Sequence, residues 1–436
     1  MRQMNSTVRS SLSRVRLRGG LLLGSLALFA SACGDDKPLN TFEPRGPAAK
    51  TIDNLAIPMW YIMGFVFVVV VFGGIGLAIK NRVKPEDYDP EDLPEQVHGN
   101  PALEWGWTAI PAILLALISI PTIITIWDLE EKNADSELDV MVIGQQWWWE
   151  YRYDIDGDGF FEDVNGDGVV DDTDKEWPLE ISLDDDDLVV ANQLVIPAGE
   201  QVDMLITSRD VIHSYWLPRL NGKRDAVPGR IHSWSVEADE PGEFTGWCTE
   251  FCGLSHARMR MSAVALEPAE FDAWLENQSK PAEIPSADGT AVEQLAAQGR
   301  ALFQSVCTSC HVIDEDLDDP DAHDYGANFE AALVAKGAPN LTHFATRSVF
   351  AGAIYSQYVE VDADDDDLLE ILEAKGGSYV DMADTLRLNE GQLRRWIKDA
   401  PSQKAMDPEN FLGMPAFPQL TEADLVALVA YLATLD

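Results

Sequence analysis

Basic residues are scarce: 31 Lys and Arg stand against 74 Asp and Glu, giving a formal net charge of -43 over 436 residues. A surface this acidic repels phosphate backbones, which excludes nucleic acid as a partner. Only the first fifty residues lean basic, with eight Lys or Arg against three acidic residues. Cysteine is scarce as well. Cys33, Cys248, Cys252, Cys307 and Cys310 form one isolated residue and two close pairs, the spacing of ligands or attachment points rather than of a disulfide framework. Apolar material is not scarce. Hydrophobic residues make up 46% of the chain, which excludes disorder throughout and fits two or three domains.

Arg14, Arg16 and Arg18 precede the apolar stretch Leu21–Phe29 and the small residues Ala30, Ser31 and Ala32. That order predicts a secretory signal peptide over 1–32, lipid attachment at Cys33 and an extracytoplasmic tether over 33–54. Cleavage without lipidation and retention as an anchor are the alternatives, though the run is only half a bilayer long. Leu55–Ile79 and Trp105–Trp127 contain no charged residue and predict a two-helix transmembrane hairpin over 55–128. Lys80, Arg82 and Lys84 put the connection in the cytoplasm, and the rest of the chain on the periplasmic side of a bacterial cytoplasmic membrane.

Beyond the hairpin, short alternating segments such as Val140–Ile143, Leu194–Ile196, Gln201–Thr207 and Met261–Leu266 predict a β-sandwich domain over 129–275. A Pro- and Gly-containing linker follows over 276–290. Helical periodicity over Val292–Phe303, Phe329–Lys336, Gln392–Lys398 and Glu422–Leu432 predicts an all-α domain over 291–436.

Two constellations carry chemistry. The first is Cys248, Glu250, Cys252, His256 and Met259, with His213 upstream. Two thiols, two imidazoles and a thioether are soft ligands; the thioether argues for copper, while Cys-x3-Cys-x3-His with a distant His leaves a zinc site as the alternative. The second is Cys307-Thr308-Ser309-Cys310-His311, the attachment motif of a c-type haem, with a redox dithiol as the alternative. A sixth iron ligand is expected at Met414 in Gly413-Met414-Pro415-Ala416-Phe417, with Met406, Met382 and His343 as further candidates.

The first constellation lies in Cys248-Thr249-Glu250-Phe251-Cys252-Gly253-Leu254-Ser255-His256-Ala257-Arg258-Met259, which resembles the dinuclear copper (CuA) loop of cytochrome c oxidase subunit II. Gln146-Trp147-Trp148-Trp149, the segment Lys223–Arg230, and Glu104-Trp105-Gly106-Trp107-Thr108 resemble further motifs of that family, in family order. The loop around Met414, with Gly299, Leu302, Phe303, Trp396 and the last helix, resembles class I cytochromes c. Together the halves resemble the caa3-type subunit II, a multidomain membrane protein with a transmembrane hairpin, a cupredoxin-like copper domain and a cytochrome c domain.

The resemblance implies roles. His213, Cys248, Cys252, His256, Met259 and the Glu250 carbonyl would bind two coppers bridged by the thiolates. The Glu250 side chain would face a magnesium at the junction with subunit I. Trp147 would be the electron entry surface, with a core aromatic as the alternative, and Glu104 would open a proton pathway, with an ordinary helix-end carboxylate as the alternative. Cys307, Cys310, His311 and Met414 would hold the haem. Oxidase subunits I and III and a donor cytochrome or donor complex would be the partners, with electrons passing from haem c to CuA and on to subunit I for oxygen reduction coupled to proton translocation. Seven histidines, none of them in either apolar run, leave the oxygen-reducing site to the partner. A subunit of a CuA-dependent nitric oxide reductase and an electron-storing lipoprotein without a catalytic partner are the competing readings.

An insertion over 154–177 departs from that family. Asp154, Asp156 and Asp158, then Asp163, Asn165, Asp167 and Asp174, repeat the oxygen-ligand spacing of calcium loops without flanking helices. Weak calcium binding is the expectation, and a solvated acidic hairpin the alternative.

Overall fold

The computed structural model describes residues 39–82, 99–130, 138–155, 188–315, 338–360, 386–410 and 412–436. Cys33, the insertion residues Asp156, Asp158, Asp163, Asn165, Asp167 and Asp174, the segment Phe329–Lys336, and Met382 lie outside them.

Helix α1 (Pro47–Lys80) and helix α2 (Pro101–Glu130) have mean hydropathies of 2.7 and 2.4 over their most apolar stretches, none of which is buried. Both are long and apolar enough to cross a membrane. α1 begins eight residues before the apolar run, which corrects the tether expected over 33–54. Pro47 fits the first helical position, Ala49 is buried and its N–H donates to the Leu220 carbonyl at 3.1 Å, and Lys50 pairs with Asp239 at 2.6 Å. The first turns of α1 are therefore docked on the β-domain. At the start of α2, Asn100 Oδ1 accepts from the N–H groups of Ala102 and Leu103 at 3.1 and 3.3 Å, while Glu104 Oε1 accepts from the Asn100 N–H at 3.1 Å. Glu104 thus helps cap its own helix.

The β-domain is a two-sheet sandwich, as the alternation predicts. One sheet has the order β3 (Leu188–Ala191), β2 (Trp148–Asp154), β1 (Asp139–Gln145), β5 (Val202–Ser208), β8 (His232–Val236). The other has the order β4 (Gln193–Pro197), β10 (Arg260–Leu266), β9 (Gly242–Trp247). Pairing is parallel for β1 with β5 and β4 with β10, and antiparallel elsewhere. A hairpin of β6 (His213–Trp216) and β7 (Lys223–Ala226) closes one end. Large aromatic side chains fill the interior: Trp149, Tyr151, Tyr153 and Tyr215 are fully buried. Tyr215 meets Trp149 edge-on at 5.0 Å and Trp234 at 5.7 Å, a geometry favoured by the aromatic quadrupole. Helix α3 (Pro268–Gln278) caps this core with Phe271 and Trp274.

The C-terminal domain is built on α4 (Ala291–Val306), α5 (Glu390–Lys398) and α6 (Glu422–Leu432), matching three of the four expected helices. Thr290 with Glu293, and Thr421 with Asp424, form reciprocal capping boxes that satisfy orphan N–H groups at both helix starts. α4 crosses α6 at Gly299, where any Cβ would collide with the Ala427 carbonyl. The linker expected over 276–290 is partly structural. α3 extends to Gln278, and Ala282 is buried in the helical domain's core with its N–H donating to the Asp314 carbonyl at 2.7 Å.

Candidate functional site

The turn after β9 carries Cys248 and Cys252, a short 3-10 turn carries His256, and Met259 leads into β10, while His213 opens β6. Main-chain bonds from Cys248 N to Met259 O and from Thr249 N to Ser214 O, both 3.0 Å, tie the three segments together. Cys248 Sγ lies 3.8 Å from Cys252 Sγ, 3.9 Å from His213 Nδ1 and 3.2 Å from the Glu250 carbonyl. Cys252 Sγ lies 3.5 Å from His256 Nδ1 and 3.7 Å from Met259 Sδ. The ligand atoms of His213, Cys248 and Cys252 are all within 4.8 Å of one another.

Five side-chain donors and a carbonyl exceed the four ligands of a tetrahedral zinc. A soft, thiolate-centred set with more donors than one tetrahedral ion needs suits copper. The hydrogen bond between the thiols pulls the Cys248 thiol down and pushes the Cys252 thiol up. The Glu250 side chain is exposed.

Asp210, which sequence reasoning did not single out, organises this end of the sandwich. Its carboxylate meets His213 Nε2 at 2.8 Å, leaving Nδ1 toward the thiols, and accepts from the Gln146 N–H at 2.7 Å. A carboxylate three residues before a histidine is the only local trace of this role, and such pairs are common in loops. Behind it, the buried Glu150 holds Arg152 at 2.8 Å, Arg209 at 3.0 Å and Gln145 at 2.7 Å. Burial pushes the Glu150 carboxyl up, but Arg209, Arg152 and Gln145 outweigh it and hold it below the usual carboxylate range.

The second site is a cavity of about 450 Å³ lined by Cys307, Cys310, His311, Met406 and Met414, with Phe303, Phe344 and Leu428 among its apolar walls. Burial lowers the pKa of His311, favouring the neutral imidazole that binds iron. Its Nδ1 faces the Pro339 carbonyl at 2.8 Å, which fixes the tautomer and leaves Nε2 as the ligand atom. Burial also pushes the Cys307 thiol up to about 11, the opposite of the lowered pKa of a reactive redox dithiol. The residues fit a covalently attached haem. His343 is ruled out as an axial ligand because its ring nitrogens face the Asp436 and Lys280 carbonyls, both at 2.9 Å. Both Met406 and Met414 line the cavity.

The two sites meet at Trp147. Trp147 is only 3% exposed and belongs to the aromatic core, the alternative to an open entry surface, with the helical domain seated beside it. Its indole Nε1–H donates to the Cys252 carbonyl at 2.9 Å, and Gln146 Nε2 donates to the same carbonyl at 2.6 Å. Gln146 and Trp147 also line the cavity. The Trp147 carbonyl accepts from Lys404 Nζ at 2.6 Å, across the domain boundary. Burial pushes the Lys404 ammonium down to about 7. Nothing local in the sequence marks Lys404, since its partner is 257 positions away. Asp154, the one described residue of the calcium pattern, is the buried last residue of β2, opposite Asp139.

Residues 138–266 match the family "Cytochrome C oxidase subunit II, periplasmic domain" and residues 296–436 match "Cytochrome c". These families imply a CuA centre and haem c. Cytochrome c oxidase subunit 2 of Alkalihalophilus pseudofirmus is 33% identical over 422 residues, covering 95% of this chain and 96% of that protein. The Bacillus subtilis protein of the same name is 28% identical and covers 94% of this chain and 96% of its own. Among solved structures, the periplasmic domain of oxidase subunit II of Bradyrhizobium japonicum is 28% identical, covers 33% of this chain and 94% of its own, and has a TM-score of 0.25. With the copper-type loop, the haem attachment cavity and a relative matched over almost the full length, this chain belongs to the cytochrome c oxidase subunit 2 family, as a membrane-anchored haem-copper oxidase subunit with extracytoplasmic domains and a fused cytochrome c.

Proposed function

We propose that this subunit passes electrons from its own haem c to CuA and on to subunit I, where oxygen is reduced to water with proton translocation. When bound, the haem and the copper pair supply one-electron carriers that change little in shape on reduction. The observation that carries this reading is Trp147: buried, bordering the haem cavity and hydrogen-bonded to the main chain of Cys252. Cys307 and Cys310 would anchor the haem, His311 and Met414 would be the side chains that bind its iron, and the apolar walls would exclude water. His213, Cys248, Cys252, His256, Met259 and the Glu250 carbonyl would hold the coppers, with Asp210 fixing the His213 ring. Trp147 and Gln146 would bridge the two sites through the Cys252 carbonyl.

The remaining roles follow from the family resemblance and the topology. α1 and α2 form a membrane hairpin, Cys33 carries lipid, Glu104 opens a proton pathway in subunit I, and Glu250 faces a magnesium at that junction. A donor cytochrome or donor complex feeds the haem, subunit III accompanies subunit I, and the insertion from Asp154 to Asp174 binds calcium weakly.

The test is rapid mixing of the purified oxidase with a reductant that reaches the haem. Copper reduction that lags haem reduction and disappears in Trp147→Leu, with both metal spectra retained, is the expected result. Copper reduction at the wild-type rate in that variant overturns the path through Trp147.

A further inference from the structure

The helical domain touches the copper domain through a small set of polar contacts. Ser348 meets Gln193 and Glu243, at 2.7 and 2.9 Å, and Gln278 meets Thr346 at 3.2 Å. These lie at the rim. Two contacts lie over the copper loop itself: Ser255 Oγ donates to the Ala405 carbonyl at 2.6 Å, and the Arg260 N–H donates to the Gly352 carbonyl at 3.3 Å. Between them sits Lys404, whose Nζ reaches the Trp147 carbonyl in one domain at 2.6 Å and the Ala351 carbonyl in its own at 3.2 Å.

The backbone around this contact is unusual. Ala351, Gly352 and Ala353 all adopt the left-handed conformation, with φ of 58°, 74° and 57°. For the two alanines this carries a steric cost that the surroundings must hold in place. The consequence is that two successive carbonyls are aimed at the boundary, Ala351 O at Lys404 and Gly352 O at Arg260. Gly352 also lies close against the boundary: a Cβ there would collide with Lys404 Nζ and stand 3.2 Å from the Trp147 carbonyl. A strained loop, a glycine without room for a methyl group and a lysine with a carbonyl on either side converge on one point, next to the residue that joins the sites.

We infer that Lys404, seated by the left-handed loop Ala351–Ala353, is a positioning residue that clamps the cytochrome domain onto the main chain of Trp147 and so fixes the distance between haem and copper. Trp147 is then held from both sides, its indole by the copper loop and its carbonyl by the cytochrome domain. This rests on the electron path proposed above, but it makes a separate claim about geometry. The step served is a single-electron transfer in which the haem iron is oxidised by one unit and the copper pair reduced by one.

The test uses the intact oxidase with both centres oxidised, when each is paramagnetic. Pulsed dipolar EPR between them should give a narrow distance distribution in the wild type. Lys404→Met keeps the length of the side chain and removes the donor, while Gly352→Ala forces Lys404 aside. Each should broaden the distribution and slow haem-to-copper transfer by up to about tenfold, the loss of docked population that one hydrogen bond of this kind can account for. The haem and copper absorption spectra should keep their wild-type shape, which a general loss of folding would not allow. Distributions as narrow as wild type in both variants overturn the clamp. A wild type that shows no haem-to-copper transfer overturns the electron path instead, and the EPR widths still decide the clamp.

Discussion

The copper domain and the cytochrome domain solve opposite problems. In the sandwich, the aromatic core is complete in itself, and the ligand atoms of the first site stand within ångströms of one another at one end of a finished scaffold. In the helical domain, the largest apolar walls face a cavity of about 450 Å³, so that the prosthetic group is part of the core. A scaffold that is whole can lose its metal and stay folded; one built around its cofactor cannot.

The sharpest way to test the contrast is to prevent haem attachment with Cys307→Ser and Cys310→Ser. A cavity of this size costs up to roughly 10 kcal/mol at the usual price per volume, comparable to the whole stability of a domain. Calorimetry should lose the cytochrome transition and keep that of the sandwich, whereas stripping copper with a chelator should leave both. Next in size is a pair of carboxylates. Glu150 is buried between two arginines, and Glu150→Ala should cost the sandwich about 3–5 kcal/mol because the guanidiniums lose their counter-charge. Glu315 pairs with Arg300 and Tyr431 in a partly exposed setting, and Glu315→Ala should cost about 1 kcal/mol or less. Equal losses in denaturant melts would erase the distinction.

Met414→Ala should convert the haem from six-coordinate to a form that binds added ligands, with Met406→Ala leaving the spectrum unchanged. The reverse outcome moves the axial ligand to Met406. The smallest effect is in acid. Burial lowers the pKa of His343 from its ordinary 6.5, so the unfolded chain takes up a proton there before the folded one does. The cytochrome domain should start to lose stability as pH falls below 6.5. Glu150 is held below its ordinary 4.5, and the sandwich should weaken only from there downward. Thermal melts that track together from pH 7 to 4 would contradict the assignment of either group.

Much of this architecture was legible because the signals are local. The apolar runs give α1 and α2, period-two alternation gives the strands, and period-3.6 repeats give α4, α5 and α6 with few residues of error. The candidate ligand sets stood out in the sequence because cysteines and histidines at fixed spacing have few other uses. What escaped depends on chain folding over itself. The docked start of α1 was missed because its turns carry Lys50 and Asp53 and look like a tether. The burial of Ala282 depends on the distant Asp314 carbonyl. Whether Trp147 is an open surface or a core aromatic is undecided by Gln146–Trp149, because nothing there records that another domain will pack beside it, and Asp210 and Lys404 act through partners that no pattern nearby announces.

The docked first turns of α1 also bear on how the β-domain is held relative to this long helix. The helix has 34 residues, a rod of about 50 Å at 1.5 Å per residue, against a hydrocarbon core of about 30 Å. The excess is a stem fastened to the sandwich at Ala49 and Lys50, with Pro58 as its one built-in point of bending. A change in bilayer thickness tilts a spanning helix. Were α1 to span a bilayer, that tilt would reach the copper domain through the docked turns, so lipid composition should alter how the exposed Phe251 and Leu254 are presented.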